Sequence, residues 1–270
     1  MKGSLKRPDC EIYYEVTGSG PALVFVHGLG GNILSWWQQI PHFEKKFTCV
    51  TFSHRGFWPN AFISEIPEIS VFADDLSALI DHLKLDSVSL VAQSFGGWSC
   101  LEYALRKQSQ VSALIMASTT GTLNYESIEH PEIVHIQQWK VWADQEKSNL
   151  RAHSILPGAG RRMADEQASL YYLFKHINEL SPTDFKESLR VRIHNTRTLS
   201  PKKFSELKIP VCFITGEEDL LFPPTAAAAA ASLLSDAHWK SIPKAGHSTY
   251  FECPKVFNNI VDEYLSSVNK

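Results

Sequence analysis

One ten-residue stretch constrains this chain more than any other: Ser89-Leu90-Val91-Ala92-Gln93-Ser94-Phe95-Gly96-Gly97-Trp98. An apolar, β-type run over residues 88–92 leads into a serine flanked by small residues. A helical pattern follows at once, through Leu101, Ala104 and Leu105. A strand that turns sharply and restarts as a helix holds the serine Oγ out at the top of a sheet. Small residues at positions 92 and 96 let strand and helix pass close together. The usual pattern for such a turn is Gly-x-Ser-x-Gly; Ala92 stands in the first position here and is small enough for the same turn. A serine hydroxyl is a poor nucleophile until a base takes its proton. The turn therefore has chemical meaning only with a base, an acid and an oxyanion site elsewhere in the chain.

The rest of the chain places that turn in an alternating pattern. Residues 11–16 read as an early antiparallel strand, closed by Gly18-Ser19-Gly20-Pro21. Residues 22–26 form a fully apolar strand that runs into His27-Gly28-Leu29-Gly30-Gly31. A helix is expected over residues 35–43, with Trp36, Ile40 and Phe43 on one face, then a strand over residues 48–52. Residues 71–83 carry helical spacing, and a strand over residues 113–117 follows the helix after Ser94. Such alternation predicts an α/β fold: a mostly parallel sheet flanked by helices. The alternation breaks after Gly121 and resumes with a strand over residues 211–215, a helix over 225–234, a strand over 238–242 and a helix over 255–268. Residues 1–121 and 202–270 are thus expected to form one core, with residues 122–201 as an all-helical cap inserted into it. The alanine run at residues 226–231, just behind Pro223 and Pro224, is expected to be a surface helix.

Composition closes off several classes. The 270 residues are 44% hydrophobic, enough for a sizeable core. A net charge of −3 with both signs interspersed gives no argument for a nucleic-acid partner. No apolar run approaches the roughly 20 residues of a membrane span. The five cysteines are odd in number and widely spaced, so neither a disulfide framework nor a zinc site is expected; Cys49, Cys100 and Cys212 read as buried small hydrophobes. His130 and His135 lack the i, i+4 spacing of a helical zinc pair, and no metal or cofactor is expected. The opening residues carry Lys2, Lys6 and Arg7 with no apolar segment behind them, so a secretory signal is not expected and a reducing, cytoplasmic location is.

In open parallel sheets, sites form at the carboxyl ends of strands. Three such ends carry matching chemistry: Ser94; Asp219 in Thr215-Gly216-Glu217-Glu218-Asp219; and His247 in Lys244-Ala245-Gly246-His247-Ser248. Glu217 and Glu218 compete with Asp219 as the acid, and His54 and His27 are further histidines at strand ends.

With these motifs in the order Ser, Asp, His, nearly the whole chain resembles the α/β-hydrolase family of serine esterases and lipase-like hydrolases. Three segments resemble the family's oxyanion loop, acid motif and histidine motif: His27-Gly28-Leu29-Gly30-Gly31; Gly216 to Pro223; and Gly246-His247-Ser248 with Glu252 and Pro254. The resemblance implies Ser94 as nucleophile, His247 as general base and then acid, and Asp219 as the group that orients it. It also implies an oxyanion hole built from the Leu29 and Phe95 amides. Many members carry Asp where Ser53 stands and a small residue where Trp58 stands. His27, Gly28, Trp58, Trp139 and Trp142 are expected around the substrate, with Tyr171, Tyr172 and Phe174 as further aromatic surface of the cap. Arg161 and Arg162 are either ligands for a substrate carboxylate or a solvated basic pair.

The activity so implied is cleavage of a carboxylic ester of a small or medium, largely apolar molecule through an acyl-enzyme, by a monomer or homodimer. The same triad also serves thioester, lactone and C–C cleavage, and the scaffold also hosts cofactor-free oxygenases and lyases. A ligand-binding receptor on the same fold is the alternative from another class.

Overall fold

The computed structural model describes residues 1–63 and 65–268. Its centre is an eight-stranded sheet of order β1-β2-β4-β3-β5-β6-β7-β8. The strands are β1 (Lys2–Lys6), β2 (Glu11–Thr17), β3 (Ala22–Val26), β4 (Thr48–Phe52), β5 (Val88–Gln93), β6 (Val111–Ala117), β7 (Val211–Gly216) and β8 (Ala237–Ile242). β1 and β2 join antiparallel at one edge, and every pairing from β4 across to β8 is parallel. The carboxyl ends of β3 to β8 therefore open onto one edge of the sheet.

Strand side chains alternate between faces, and helices cover both. Val24, Val26, Leu90 and Ala92 point toward α2 (Ser70–His82) and α3 (Gly96–Arg106). Leu23, Phe25 and Val91 point toward α11 (Pro254–Val268) and toward Trp36 and Phe43. Strands buried on both faces read as continuous apolar runs, which is why they stand out in the sequence. No helix among the described residues is long and apolar enough to cross a membrane.

Three local expectations change. β1 was not anticipated: its residues alternate exposed and half-buried at the sheet's edge, so KGSLK carries no apolar signature. The helix expected over residues 35–43 divides into a 3-10 turn, Ile33–Trp36, and α1 (Ile40–Phe43). Asn32 caps the first turn in a reciprocal box with Ser35, and Pro41, lacking an N–H, opens the second. The alanine helix α9 (Pro224–Ala231) is no surface element: Ala226, Ala227, Ala229 and Ala230 are fully buried. Methyl groups let its backbone lie close against the sheet.

Between β6 and β7 the described chain is helical: α4 (Ile136–Ala152), α5 (Gly160–Glu166), α6 (Ala168–Glu179) and α7 (Thr183–His194), followed by the short α8 (Pro201–Phe204). A lone parallel bridge, Leu123 to Leu199, closes the base of this segment. α6 reaches one face of the core through Phe174 and Ile177. α7 packs Phe185, Leu189 and Ile193 against Phe57, Phe72, Phe95 and Trp98.

Candidate active site

β5 ends at Gln93, and the next residue, Ser94, sits at φ +49°. A side chain in this left-handed region costs of order 1–3 kcal/mol, and such strain persists only where the surroundings over-determine it. Here they do. The Ser94 amide donates to the Ala117 carbonyl (2.9 Å), and the Gly97 amide closes the turn onto the Ser94 carbonyl (2.9 Å). A methyl group at Gly96 would sit 2.3 Å from the Val26 carbonyl oxygen, and one at Gly97 2.5 Å from Thr119 Cγ2. Helix α3 can leave the turn only because neither residue has a side chain. Ser94 is half-buried between buried neighbours, so the turn presents its hydroxyl outward.

Asp219 and His247 meet. The His247 Nδ1–H donates to both carboxylate oxygens of Asp219 at 3.0 Å. Asp219 Oδ1 also accepts from the Leu221 (2.8 Å) and Phe222 (2.9 Å) amides, and the residue is wholly buried. The carboxylate thereby fixes its proton partner on Nδ1 and leaves His247 Nε2 unprotonated, able to accept. The two loops approach because Gly216 has no side chain: a methyl there would lie 2.2 Å from the carbonyl oxygens of both Ala245 and Gly246. The Glu252 carboxylate accepts from the Gly246 amide at 2.5 Å, one residue before His247. Burial, with Asp219 and Glu218 nearby, pushes that carboxyl up to about 8. Gln93 ties this pair to the serine turn, its Nε2 donating to the His247 carbonyl at 3.4 Å. The Ser94 hydroxyl makes no hydrogen bond to a described protein group, His247 included. Glu218, the rival acid, is occupied by Arg162 (2.5 Å).

The glycine loop rests directly on the turn. A methyl at Gly28 would sit 3.1 Å from Ser94 Cβ. The Leu29 and Phe95 amides donate to no described acceptor. His27 was expected to face the substrate; it is fully buried beneath the loop instead. Its Nδ1–H donates to the Gly28 carbonyl (2.8 Å) and its Nε2 accepts from the His54 amide (2.9 Å). Burial lowers its pKa to about 4, which keeps this neutral arrangement intact. His54 is also wholly buried, both ring nitrogens unpartnered, and its ring lies 5.1 Å from that of Phe95. It supports the turn and lines no surface.

The helical segment reaches the same loops from above. The Trp139 indole N–H donates to the Asp219 carbonyl (3.1 Å), and Ser248 Oγ donates to the Gly158 carbonyl (2.7 Å). Asn178 lies over Gly30, where a methyl would come within 2.4 Å of its amide nitrogen, and the buried Lys186 holds that asparagine (2.9 Å). Neither Asn178 nor Lys186 was legible in the sequence; a buried lysine shows no periodic signature. Trp142, grouped with Trp139 by residue type, is 44% exposed, whereas Trp139 is half-buried. Trp58 is half-buried; its backbone bridges Ser53 (2.7 Å) and Ser181 (3.1 Å), so Ser53 makes its own loop contact. Arg162 pairs with Glu218 and Glu166, and the exposed Arg161 lies 3.8 Å from Asp165. Tyr172 is exposed and Phe174 packs on Phe251. Two surface clefts, of about 530 and 220 Å³, are lined by neither Ser94 nor His247; Thr122, Thr196 and Glu102 line the first, Trp36 and Trp37 the second.

Several known proteins match nearly the whole of this chain. The nearly complete chain is 25% identical over 287 residues to a Bacillus subtilis protein with the provisional name 2-succinyl-6-hydroxy-2,4-cyclohexadiene-1-carboxylate synthase, covering 95% of this chain and 96% of that one. Among solved structures, a thermophilic esterase from Thermogutta terrifontis superposes with a TM-score of 0.78 at 20% identity over 100% of both chains. An esterase described as degrading N-acyl homoserine lactones does so with a TM-score of 0.77 at 19% identity, over 97% of this chain and 99% of that one. A family model described as the alpha/beta hydrolase fold matches residues 21–254, and the chain accordingly belongs to the α/β hydrolase family.

Proposed function

We propose that this protein is a serine hydrolase that cleaves a carboxylic ester of a small or medium, largely apolar molecule, with Ser94, His247 and Asp219 as its triad. The observation that carries this reading is the Asp219–His247 pair at the end of β7 and β8, beside a strained serine at the end of β5. In the proposed reaction, Ser94 Oγ attacks the ester carbonyl carbon as its proton passes to His247 Nε2. The tetrahedral oxyanion accepts hydrogen bonds from the Leu29 and Phe95 amides, which have no described protein acceptor of their own. Loss of one such donor typically costs about 3–4 kcal/mol. Collapse expels the alkoxide, which takes the proton from His247 and leaves an acyl-serine. Water then attacks, its proton going to His247, and the acid departs as Ser94 recovers its proton. Asp219 stabilises the imidazolium without being protonated itself. Residues 122–201 act as the cap over this site.

The relatives' names include esterase and lactone-degrading activities, so a lactone belongs in the substrate panel beside open-chain esters. The test is hydrolysis of p-nitrophenyl esters of increasing acyl length by wild type and Ser94→Ala, with fluorophosphonate labelling. The expected result is turnover and labelling in the wild type, and loss of both in Ser94→Ala. An unchanged rate in Ser94→Ala would overturn the proposal. Labelling without ester turnover would retain the nucleophile and move the scissile bond elsewhere.

A further inference from the structure

Five arginines are not fully exposed, and four are accounted for by carboxylates: Arg7 and Arg55 by Asp75, Arg162 by Glu218, and Arg192 by Glu68. Arg197, at the end of the helical segment, has no carboxylate partner among the described residues. Its guanidinium lies instead between two aromatic rings, 4.6 Å from the centroid of Trp98 and 4.8 Å from that of Tyr125. Glu126, whose charge acts on it, is engaged by Lys140 at 2.7 Å. Burial draws the guanidinium's pKa down, with Tyr125 and Glu126 pulling the other way, yet arginine stays charged in proteins.

Two aromatic rings within cation–π range of the guanidinium leave its planar edge as the part able to donate. That edge carries five N–H donors, and a single long hydrogen bond, Nη1 to Thr120 Oγ1 at 3.3 Å, uses one of them. A half-buried cation with donors that no described protein group takes up can pair with an anion. The fork of a guanidinium matches a carboxylate in two parallel hydrogen bonds.

The place of this edge ties it to the proposed chemistry. Thr120 follows β6, whose last residue, Ala117, accepts the Ser94 amide. Trp98 lies one helical turn beyond Ser94 on α3. Tyr125 packs on Phe222 (6.0 Å), whose amide donates to Asp219. Arg197 thus stands at the carboxyl edge of the sheet, framed by neighbours of both the serine and the acid.

Resting on the hydrolase reading above, we infer that the substrate carries a carboxylate remote from its scissile bond, and that the Arg197 edge binds it. The pair Arg161–Arg162 does not serve this role, since its charges are met by Asp165, Glu166 and Glu218.

The test compares monoethyl succinate, glutarate and adipate with neutral ethyl butyrate, pentanoate and hexanoate, reading released ethanol. Adipate binding to Ser94→Ala is measured in parallel by calorimetry. Wild type should prefer one anionic ester over its neutral match. Arg197→Gln should lose that preference by roughly 10- to 100-fold in the ratio of kcat/KM for the anionic over the neutral ester, the scale of a hydrogen bond to a charged group. Adipate binding should fall in parallel in the Ser94→Ala, Arg197→Gln double variant. Arg197→Lys keeps charge between the rings but not the planar fork, so it should retain only part of the preference. It also carries the test if Arg197→Gln does not fold. Equal treatment of both esters by wild type, or a preference untouched in Arg197→Gln and Arg197→Lys, would overturn the inference and leave the hydrolase reading standing. Adipate binding lost with Arg197, in a protein that cleaves no ester, would do the reverse.

Discussion

The sheet core and the helical segment hold the same site in different ways. Helix α3, behind Ser94, buries eight of its 11 residues, whereas α4, in the helical segment, buries three of its 17. The core supplies side chains: the Ser94 hydroxyl, the Asp219 carboxylate and the His247 ring, each at a strand end fixed by ladder hydrogen bonds. The helical segment touches the neighbours of those groups, through Trp139 on the Asp219 carbonyl, Gly158 on Ser248 and Arg162 on Glu218. A densely packed frame can hold a reacting atom in place, while a thinly packed segment can change its surface without unmaking that frame. The contrast predicts that chemistry depends on the core, and substrate choice and fine positioning on the segment.

Asp219 is the place to break that contrast, because both regions bind it. Asp219→Asn removes the core's contribution and should lower kcat/KM on a neutral ester about 10³- to 10⁴-fold, the scale of losing the orienting acid. A loss below tenfold in steady-state kinetics would mean that another acid serves.

The next largest effect concerns stability. Glu252 keeps its proton up to about pH 8 in the folded protein, against an ordinary value of 4.5. Between those values the folded state binds more protons than the unfolded one, so this carboxyl makes stability fall as pH rises, levelling off above about 8. Glu252→Gln, always neutral and still able to accept from Gly246, should match wild type near pH 4.5. It should then gain on wild type, at up to about 1.4 kcal/mol per pH unit, until pH 8. Melting curves across this range check it, and parallel curves would show that the carboxyl ionises freely.

Smallest is the segment's own contact. Trp139→Phe deletes the indole donor to the Asp219 carbonyl and should cost about 0.5–1.5 kcal/mol, a few-fold in kcat. An effect rivalling Asp219→Asn would erase the distinction between frame and cap.

Legibility followed the same division. The buried parallel strands β3 to β7 stood out as apolar runs, and the small residue at position 96 marked a close approach that the structure contains. The edge strand β1 and the broken helix after Asn32 were missed or misdrawn, because edge pairing and capping leave little periodic trace. His27 was expected around the substrate and His54 stood as a further histidine at a strand end, and both are fully buried.

By itself, the sequence determined the α/β alternation and the positions of Ser94, Asp219 and His247 at strand ends, since periodicity and turn chemistry act over a few neighbouring residues. Tertiary structure alone decided which charges find partners. Arg162 meets Glu218 across 56 positions, while Arg197 lies against Trp98, Tyr125 and Thr120. Such pairings depend on how separate elements pack, and an electrostatic contact a few ångströms long has no counterpart in the spacing of residues along a chain.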